Sequence, residues 1–355
     1  MVPARAKRTA TLGADGTPRL EDVAAAAGVS ISTASRALRE HPAVREATRR
    51  KVRTAANRLG YEPNRMASAL RTRISSFVGI VVPDITIPFF GLVVKAAQDV
   101  LEAAGYQVLV MNTHRDADQE RQALRTLLSH RAGGVMVATY GGHDRGLRIP
   151  LVFFANVDEE AQAPRVVLSN REGIRLLVEH LVDHGHRRIA YVGGAPVVTS
   201  GSERLLGFHA AIAAAGLVDS ATARVSDSWS AESAELAATE LLGASEAPTA
   251  FVAGGDTFAL GIVKAVRAAR LRIPDDIALV SFQDPDRVGG ILEPPLTTLE
   301  GQERELGSHA ARLLLHTIEQ GSSATSAAEV RLPARLVVRR SCGCDPALAH
   351  DPTDL

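Results

Sequence analysis

From Phe77 to Gln320 the chain alternates short apolar runs with helix-length stretches, and no other feature constrains its fold as tightly. The first run, Phe77-Val78-Gly79-Ile80-Val81-Val82, is continuously apolar and stops at Pro83. A strand reads this way when both faces are buried, as in a parallel sheet covered by helices. A helix is predicted over Phe89–Ala104, closed by Gly105, then a strand over Tyr106–Met111. The order continues with helix Asp118–Ser129, strands Gly134–Ala138 and Leu151–Phe154, helix Arg171–His184, strand Ile189–Val192 and helix Glu203–Ala215. Helices Ala231–Leu242, Thr257–Ala269 and Glu303–Gln320 then interleave with strands Ala250–Ala253 and Ile277–Val280. This alternation predicts a doubly wound α/β fold. About 270 residues exceed one comfortable core, so two lobes are expected. Ligands of such sheets bind beyond the carboxyl ends of strands, where strand order reverses.

The N-terminal part is patterned differently. Residues 1–18 hold Gly, Pro, Thr and Ala without a period and are expected to form a disordered arm. Leu20, Val23, Ala24 and Ala27 fall on one face of a short helix. Gly28 can stop that helix by taking positive φ, and Ser30 can cap a second helix over about Ile31–Leu38. A third helix fits Glu46–Leu59, with Val52, Ala55, Ala56 and Leu59 on one face and Gly60 as its stop. Three short helices with a tight glycine turn between the first two describe an all-α helix-turn-helix head. Pro63 cannot continue the third helix. Asn64 could cap a further helix over Arg65–Arg71, too short to hold without a partner. The predicted organisation is arm 1–18, head 19–62, hinge helix and linker 63–75, two-lobed body 76–345 and flexible tail 346–355.

The formal net charge of zero hides an asymmetry. Up to Arg73 there are fifteen Lys/Arg against six Asp/Glu, a net of +9, which leaves −9 on the remainder. A basic head on an acidic body suggests a polyanion partner for the head; a solvated basic tail is the other reading. Two cysteines in 355 residues exclude a disulfide scaffold and favour a reducing compartment. No apolar run approaches the roughly 18 residues of a membrane span, and the N-terminus has no apolar segment of a secretory signal. The expectation is a cytoplasmic protein. Cys342-Gly343-Cys344 is a thiol pair with no second pair to complete a zinc site, and His184 and His186 only flank Gly185. Gly193-Gly194 and Gly254-Gly255 lack the Gly-Lys-Ser/Thr that a phosphate loop needs. With no nucleophile–base–acid set either, an enzyme, a cofactor and a metal are not expected.

The segment Leu20-Glu21-Asp22-Val23-Ala24-Ala25-Ala26-Ala27-Gly28-Val29-Ser30-Ile31-Ser32-Thr33-Ala34-Ser35-Arg36-Ala37-Leu38 resembles the helix-turn-helix of the lactose/galactose repressor (LacI/GalR) family of bacterial transcription regulators. The resemblance runs on through Val44–Val52, Leu59-Gly60-Tyr61-Glu62-Pro63-Asn64 and Val82-Pro83-Asp84 with Pro88-Phe89-Phe90. It continues in Gly185-His186-Arg187-Arg188-Ile189-Ala190, Arg204 with Gly207-Phe208, Pro294-Pro295-Leu296-Thr297-Thr298 and Leu336–Ser341. It covers about Leu20 to Gly343, with the motifs in the family's order.

The resemblance implies a homodimeric repressor that binds a near-palindromic operator in double-stranded DNA, with a sugar or sugar derivative as effector between lobes like those of periplasmic sugar-binding proteins. Ile31, Ser32 and Arg36 match base-reading positions. Arg36 can pair with guanine O6 and N7, while Ile31 offers an apolar contact such as a thymine methyl. Ser30, Thr33 and Ser35 suit phosphates, and Asn64 belongs with the DNA-contacting set. Leu70 matches the leucine that wedges into the minor groove. Ile31 packed inward, Arg36 on phosphate alone and Leu70 as a core residue are the plainer alternatives. Ile87 and Phe89 match the first-lobe wall of the effector site. Arg204 matches the ligand-gripping arginine, and Trp229 matches an aromatic that faces the ligand or else packs in the core.

The chain also departs from the family. Gly255 stands where asparagine is usual before Asp256, and Gln283 where an aspartate grips sugar hydroxyls. Ala155 and Gly133 stand at positions that are often acidic. Such a pocket is less acidic than a usual sugar site and leaves open an unusual sugar, a phosphorylated or acidic effector, or a vestigial pocket. A solute-binding protein without DNA function would leave Leu20–Leu70 unexplained. The absence of a heptad repeat after Gly343 favours dimers over tetramers.

Overall fold

The computed structural model describes residues 18–38, 40–61, 77–142, 146–226, 228–284, 288–320 and 328–344, and divides the chain into two units at Ser75/Ser76. The expected hinge segment and tail, nearly all of the arm, and with them Asn64 and Leu70, lie outside the described residues.

The first unit holds helices α1 (Leu20–Ala27), α2 (Ile31–Leu38) and α3 (Glu46–Leu59). They close on Val23 and Ala24 of α1, Ala34 and Ala37 of α2, Val44, and Val52, Ala55 and Ala56 of α3. Alanines at the contacts let short helices approach closely while burying little area each. Gly28 takes φ 67°, the left-handed stop that the sequence predicts. The amides of Gly28 and Val29 turn back to the carbonyls of Ala25 and Ala24 at 3.2 and 3.0 Å. Ser30 Oγ accepts from the Thr33 amide at 3.1 Å and so caps α2.

The second unit is two parallel-sheet lobes with helices, as the alternation predicts. The first sheet contains β1 (Phe77–Val82), β2 (Gln107–Asn112), β3 (Val135–Val137), β4 (Leu151–Phe154), β5 (Arg165–Leu168) and the late strand β11 (Glu329–Leu332). Its order is β11-β5-β4-β3-β1-β2, with every pair parallel. The second contains β6 (Ile189–Gly194), β7 (Thr222–Ser226), β8 (Ala250–Ala253), β9 (Ala278–Ser281), β10 (Thr297–Leu299) and β12 (Leu336–Val337). Its order is β12-β10-β9-β8-β6-β7, parallel except for β12 against β10. Strand order reverses at β1/β3 in one sheet and β6/β8 in the other, which gives each lobe a crevice at its strand ends.

The chain crosses between lobes three times, after β5, after β10 and between β11 and β12. Helix Asn170–Asp183 packs on helix Thr199–Ala214 of the second lobe, whereas helix Glu303–Gln320 returns to pack on helix Pro88–Ala103 of the first. That return needs Gly307: a Cβ there would lie 2.2 Å from the Val93 carbonyl oxygen.

The alternation left five strands unread: β5, β7, β10, β11 and β12. β7, β11 and β12 are edge strands, exposed or half-buried apart from Leu332, so no long apolar run marks them. Helix Thr199–Ala214 begins four residues before the expected Glu203, because Ser200, Gly201 and Ser202 read as loop while Gly201 packs 2.2 Å (from its Cβ position) against the Ala195 carbonyl. Among the described residues no helix is long and apolar enough to cross a membrane.

Candidate functional site

Two surfaces carry the expected chemistry. In the first unit, α2 buries Ala34 and Ala37, which turns Ile31, Ser32 and Arg36 outward. Ile31 is 49% exposed, so it does not pack inward. Ser35 and Thr33 are half-buried on the flanks of the exposed strip. Ser30 Oγ also lies 3.0 Å from Ser32 Oγ and 2.8 Å from Thr33 Oγ1, a hydroxyl cluster at the start of α2. The strip is therefore a helix N-terminus bearing small donors, one apolar contact and one guanidinium. Such a face can enter a major groove about 12 Å wide.

In the second unit a cleft opens between the lobes and encloses about 630 Å³ of empty space, part of it open to solvent. Its walls come from the segments that follow strand ends. Pro83, Ile87, Phe89 and Phe90 follow β1; Arg115 follows β2; Tyr140 follows β3; Ala155 and Asn156 follow β4; Asn170 follows β5. From the second lobe, Ser200 and Arg204 follow β6, Trp229 follows β7, Gly255 to Phe258 follow β8 and Gln283 follows β9. Ile87, Phe89, Arg204, Trp229, Gly255 and Gln283 thus meet in one cleft although they span almost 200 positions of sequence.

Arg204 is the anchor of this cleft. It is buried, and its Nε donates to Asn170 Oδ1 at 2.9 Å and its Nη1 to the Gly254 carbonyl at 2.6 Å. Its guanidinium carbon stands 3.7 Å over the centroid of the Phe282 ring. Burial lowers it to about 10, which leaves it charged at neutral pH. Nη2 has no partner among the described residues and remains a donor for a ligand. Asn170 is itself held by Glu203 Oε2 at 3.0 Å.

Trp229 sits where the second-lobe core meets the cleft. It packs on the apolar core of the second lobe, 5.4 Å from the Phe258 ring, and it lines the cleft. Gly194 makes room for it, since a Cβ there would come within 2.2 Å of the indole. The indole Nε1 is buried and has no hydrogen-bond partner among the described residues. The Gln283 side chain is buried as well and bonds to no described residue. The Cβ position of Gly255 lies 3.1 Å from Gln283 Oε1 and 3.9 Å from Arg204 Nη1, so an asparagine here would project between them.

Among the described residues that line the cleft Asp256 is the only carboxylate, and burial raises it above the usual range. Arg204 stands near it in the same lobe, and Arg115 of the first lobe is paired with Asp84 at 2.8 Å. Across the cleft mouth the lobes touch directly. Asn156 Oδ1 of the first lobe accepts from the Ser200 amide at 3.2 Å, and Thr199 Oγ1 donates to the Val157 carbonyl at 2.8 Å. Asn156, Asn170 and Ser200 were not singled out in the sequence. The one signal that points to Asn156 and Asn170 is their place just beyond the carboxyl ends of β4 and β5.

Comparison with known proteins adds the following. The family model for bacterial regulatory proteins of the lacI family matches residues 19–64, and that for a periplasmic binding protein-like domain matches 178–342. The ribose operon repressor of Halalkalibacterium halodurans is 32% identical over 326 residues, 91% of this chain and 96% of the relative. Catabolite control protein A of Priestia megaterium is 29% identical over 329 residues, 90% of this chain and 98% of the relative. A crystal structure of the lac repressor dimer bound to operator and the anti-inducer ONPF matches with a TM-score of 0.81 at 28% identity, over 92% of this chain and 99% of that one.

Proposed function

Because the chain belongs to the lacI family of bacterial regulatory proteins, we propose that it is a cytoplasmic transcriptional repressor whose grip on operator DNA is set by a small effector held between its lobes. It is a regulator and not an enzyme. We assign residues 19–62 to DNA reading, 63–75 to the hinge and linker, and 76–345 to effector binding and dimerisation. Ile31, Ser32 and Arg36 read bases; Ser30, Thr33, Ser35 and Asn64 meet the backbone; Leu70 wedges into the minor groove.

The effector is a sugar or sugar derivative. The observation that carries this reading is the set of unused donors in one cleft: Arg204 Nη2, Trp229 Nε1 and the Gln283 amide. The indole N–H is the buried member, and a buried donor left unpaired costs about 1–3 kcal/mol; beside it Arg204 and Gln283 offer further donors, a set that suits a ligand rich in acceptor oxygens. With Arg115 paired to Asp84, Arg204 is the cation that would meet an acidic or phosphate group on the sugar. A thermal-shift screen of sugars, sugar phosphates and sugar acids is the direct test, because a native-state ligand raises apparent stability. A screen in which no member of these classes shifts the transition of the two-lobed body counts against the reading.

Two heads related by a twofold axis should select an inverted repeat from a random DNA pool. Recovery of direct repeats alone would refute the dimeric operator. Arg36→Ala is expected to lose about 2 kcal/mol of discrimination at one base pair of each half-site. A uniform loss over all sequences would instead mark Arg36 as a phosphate contact.

A further inference from the structure

On the far side of the second lobe's helix Asn170–Asp183, four metal-binding side chains converge that the effector cleft does not use. His180 stands in the last turn of that helix and His184 is its C-cap residue, four positions on and therefore on the same face. Cys342 and Cys344 come from the last described segment and are free, buried thiols. Gly343 between them takes φ 82°, a left-handed turn that lets both sulfurs point to one side. Cys344 Sγ lies 2.8 Å from Cys342 Sγ, 3.2 Å from His180 Nε2 and 3.0 Å from His184 Nε2. The ligand atoms of His180, Cys342 and Cys344 all fall within 4.8 Å of one another.

The cluster is over-supplied with lone pairs. Nδ1 of His184 is 2.7 Å from the His180 carbonyl oxygen, to which it can only donate. That bond fixes the tautomer and leaves Nε2 of His184 as a lone pair aimed at Cys344 Sγ. The Cys342 thiol can donate to Cys344 Sγ and the Cys344 thiol to one imidazole nitrogen, but no single hydrogen holds all three neighbours of Cys344 Sγ at once. A shared cation satisfies all of them.

We propose that His180, His184, Cys342 and Cys344 form a structural zinc site. Two thiolates and two imidazoles are a tetrahedral donor set of the kind that zinc takes in closed structural sites. With metal–ligand distances of about 2.0–2.3 Å, the edges of that tetrahedron are about 3.3–3.8 Å. The two sulfurs separate by about 1 Å to reach this, and His184, whose Nε2 meets the cluster only through Cys344, swings further inward to complete the set. The surroundings support the ligands. The His180 carbonyl orients His184, and Thr297 Oγ1 donates to Cys342 Sγ at 3.1 Å. The segment that carries the thiols is anchored by Ser341, which accepts from the Thr297 amide at 2.8 Å and whose carbonyl accepts from the Leu279 amide at 2.8 Å. The ion ties the end of the body to the helix whose first residue, Asn170, holds Arg204.

The full-length protein, purified under reducing conditions without chelator, should carry one zinc per chain by elemental analysis. After chelation, cobalt(II) should enter at one per chain, give the visible bands of a tetrahedral site with thiolate charge transfer in the near ultraviolet, and be displaced by zinc. Cys344→Ser should weaken cobalt binding at least tenfold and remove part of the charge-transfer band. His184→Gln, at an exposed position, should weaken it tenfold with the fold intact by circular dichroism. Reduced wild-type protein that takes up no cobalt in a tetrahedral spectrum overturns the proposal. So does uptake that both substitutions leave unchanged, or a Cys342–Cys344 disulfide in a chain whose reduced form ignores both metals.

Discussion

Arg204→Ala is expected to weaken binding of the effector about 100-fold, close to 3 kcal/mol, while leaving the affinity of the head for non-specific DNA unchanged. Hydrogen bonds to a charged group are worth about 1.5–3 kcal/mol, and the Arg204 guanidinium is held by a side chain, a carbonyl and an aromatic face that keep it from moving. Its free Nη2 therefore meets a ligand without paying to be ordered, which is where preorganisation adds affinity. The substitution also strips donors from Asn170 Oδ1 and the Gly254 carbonyl, so the second lobe should lose stability as well. Arg204→Lys separates the two effects. A lysine keeps the charge but cannot serve Asn170, Gly254 and a ligand at once, so binding should fall with less loss of stability. The measurement is calorimetric titration of each variant with the strongest ligand from the thermal-shift screen, alongside urea unfolding. Unchanged ligand affinity in Arg204→Ala would remove this residue, and with it the cleft, from effector recognition.

Much of the fold could be read from the sequence because burial leaves a direct trace in it. Phe77–Val82 and Ala250–Ala253 are buried almost throughout, and a strand covered on both faces has to be continuously apolar. The trace fails where polar residues are buried against distant partners. Thr297 and Thr298 are fully buried in β10, yet no apolar run marks that strand. Their polar atoms are met by Ser341, Arg339 and Asp284, up to 44 positions away, and local patterning cannot announce such partners. The cleft divides in the same way. Arg204, Trp229 and Gln283 could be named from the family's motifs, whereas the Asn170 side chain, the Gly254 carbonyl and the Phe282 ring that fix Arg204 are products of the tertiary fold. The thiol pair looked incidental for the same reason: its imidazole partners lie about 160 positions earlier, on a helix that gave no sign of facing it.

A second large effect is expected at the lobe crossings. Glu303 opens helix Glu303–Gln320 and is 5% exposed, beside a small cavity lined by Leu168, Ser169, Leu299, Gln302 and Ala334. Those residues belong to all three crossings. Burial pushes Glu303 up to about 7, and the nearby negative charges of Asp256 and Asp284 add to the shift. Its own backbone amide and Arg304 oppose the shift without cancelling it. Below pH 4.5 the carboxyl is neutral in both the folded and unfolded chain and costs nothing. Between about pH 4.5 and 7 the unfolded chain ionises first, so the folded state holds the extra proton and stability falls as pH rises. Integrated over that interval, the loss is about 3 kcal/mol, complete above pH 7. Glu303→Gln mimics the neutral form and should remove the loss. Wild type and variant should be equally stable near pH 4.5, and the variant should be more stable by about 3 kcal/mol at pH 8. Other groups that titrate in this window contribute to both proteins and drop out of the difference. Urea unfolding of the pair at four or five pH values measures it. Parallel stability curves would show that Glu303 is already ionised in the folded protein, and that the crossings tolerate a charge beside Asp256 and Asp284.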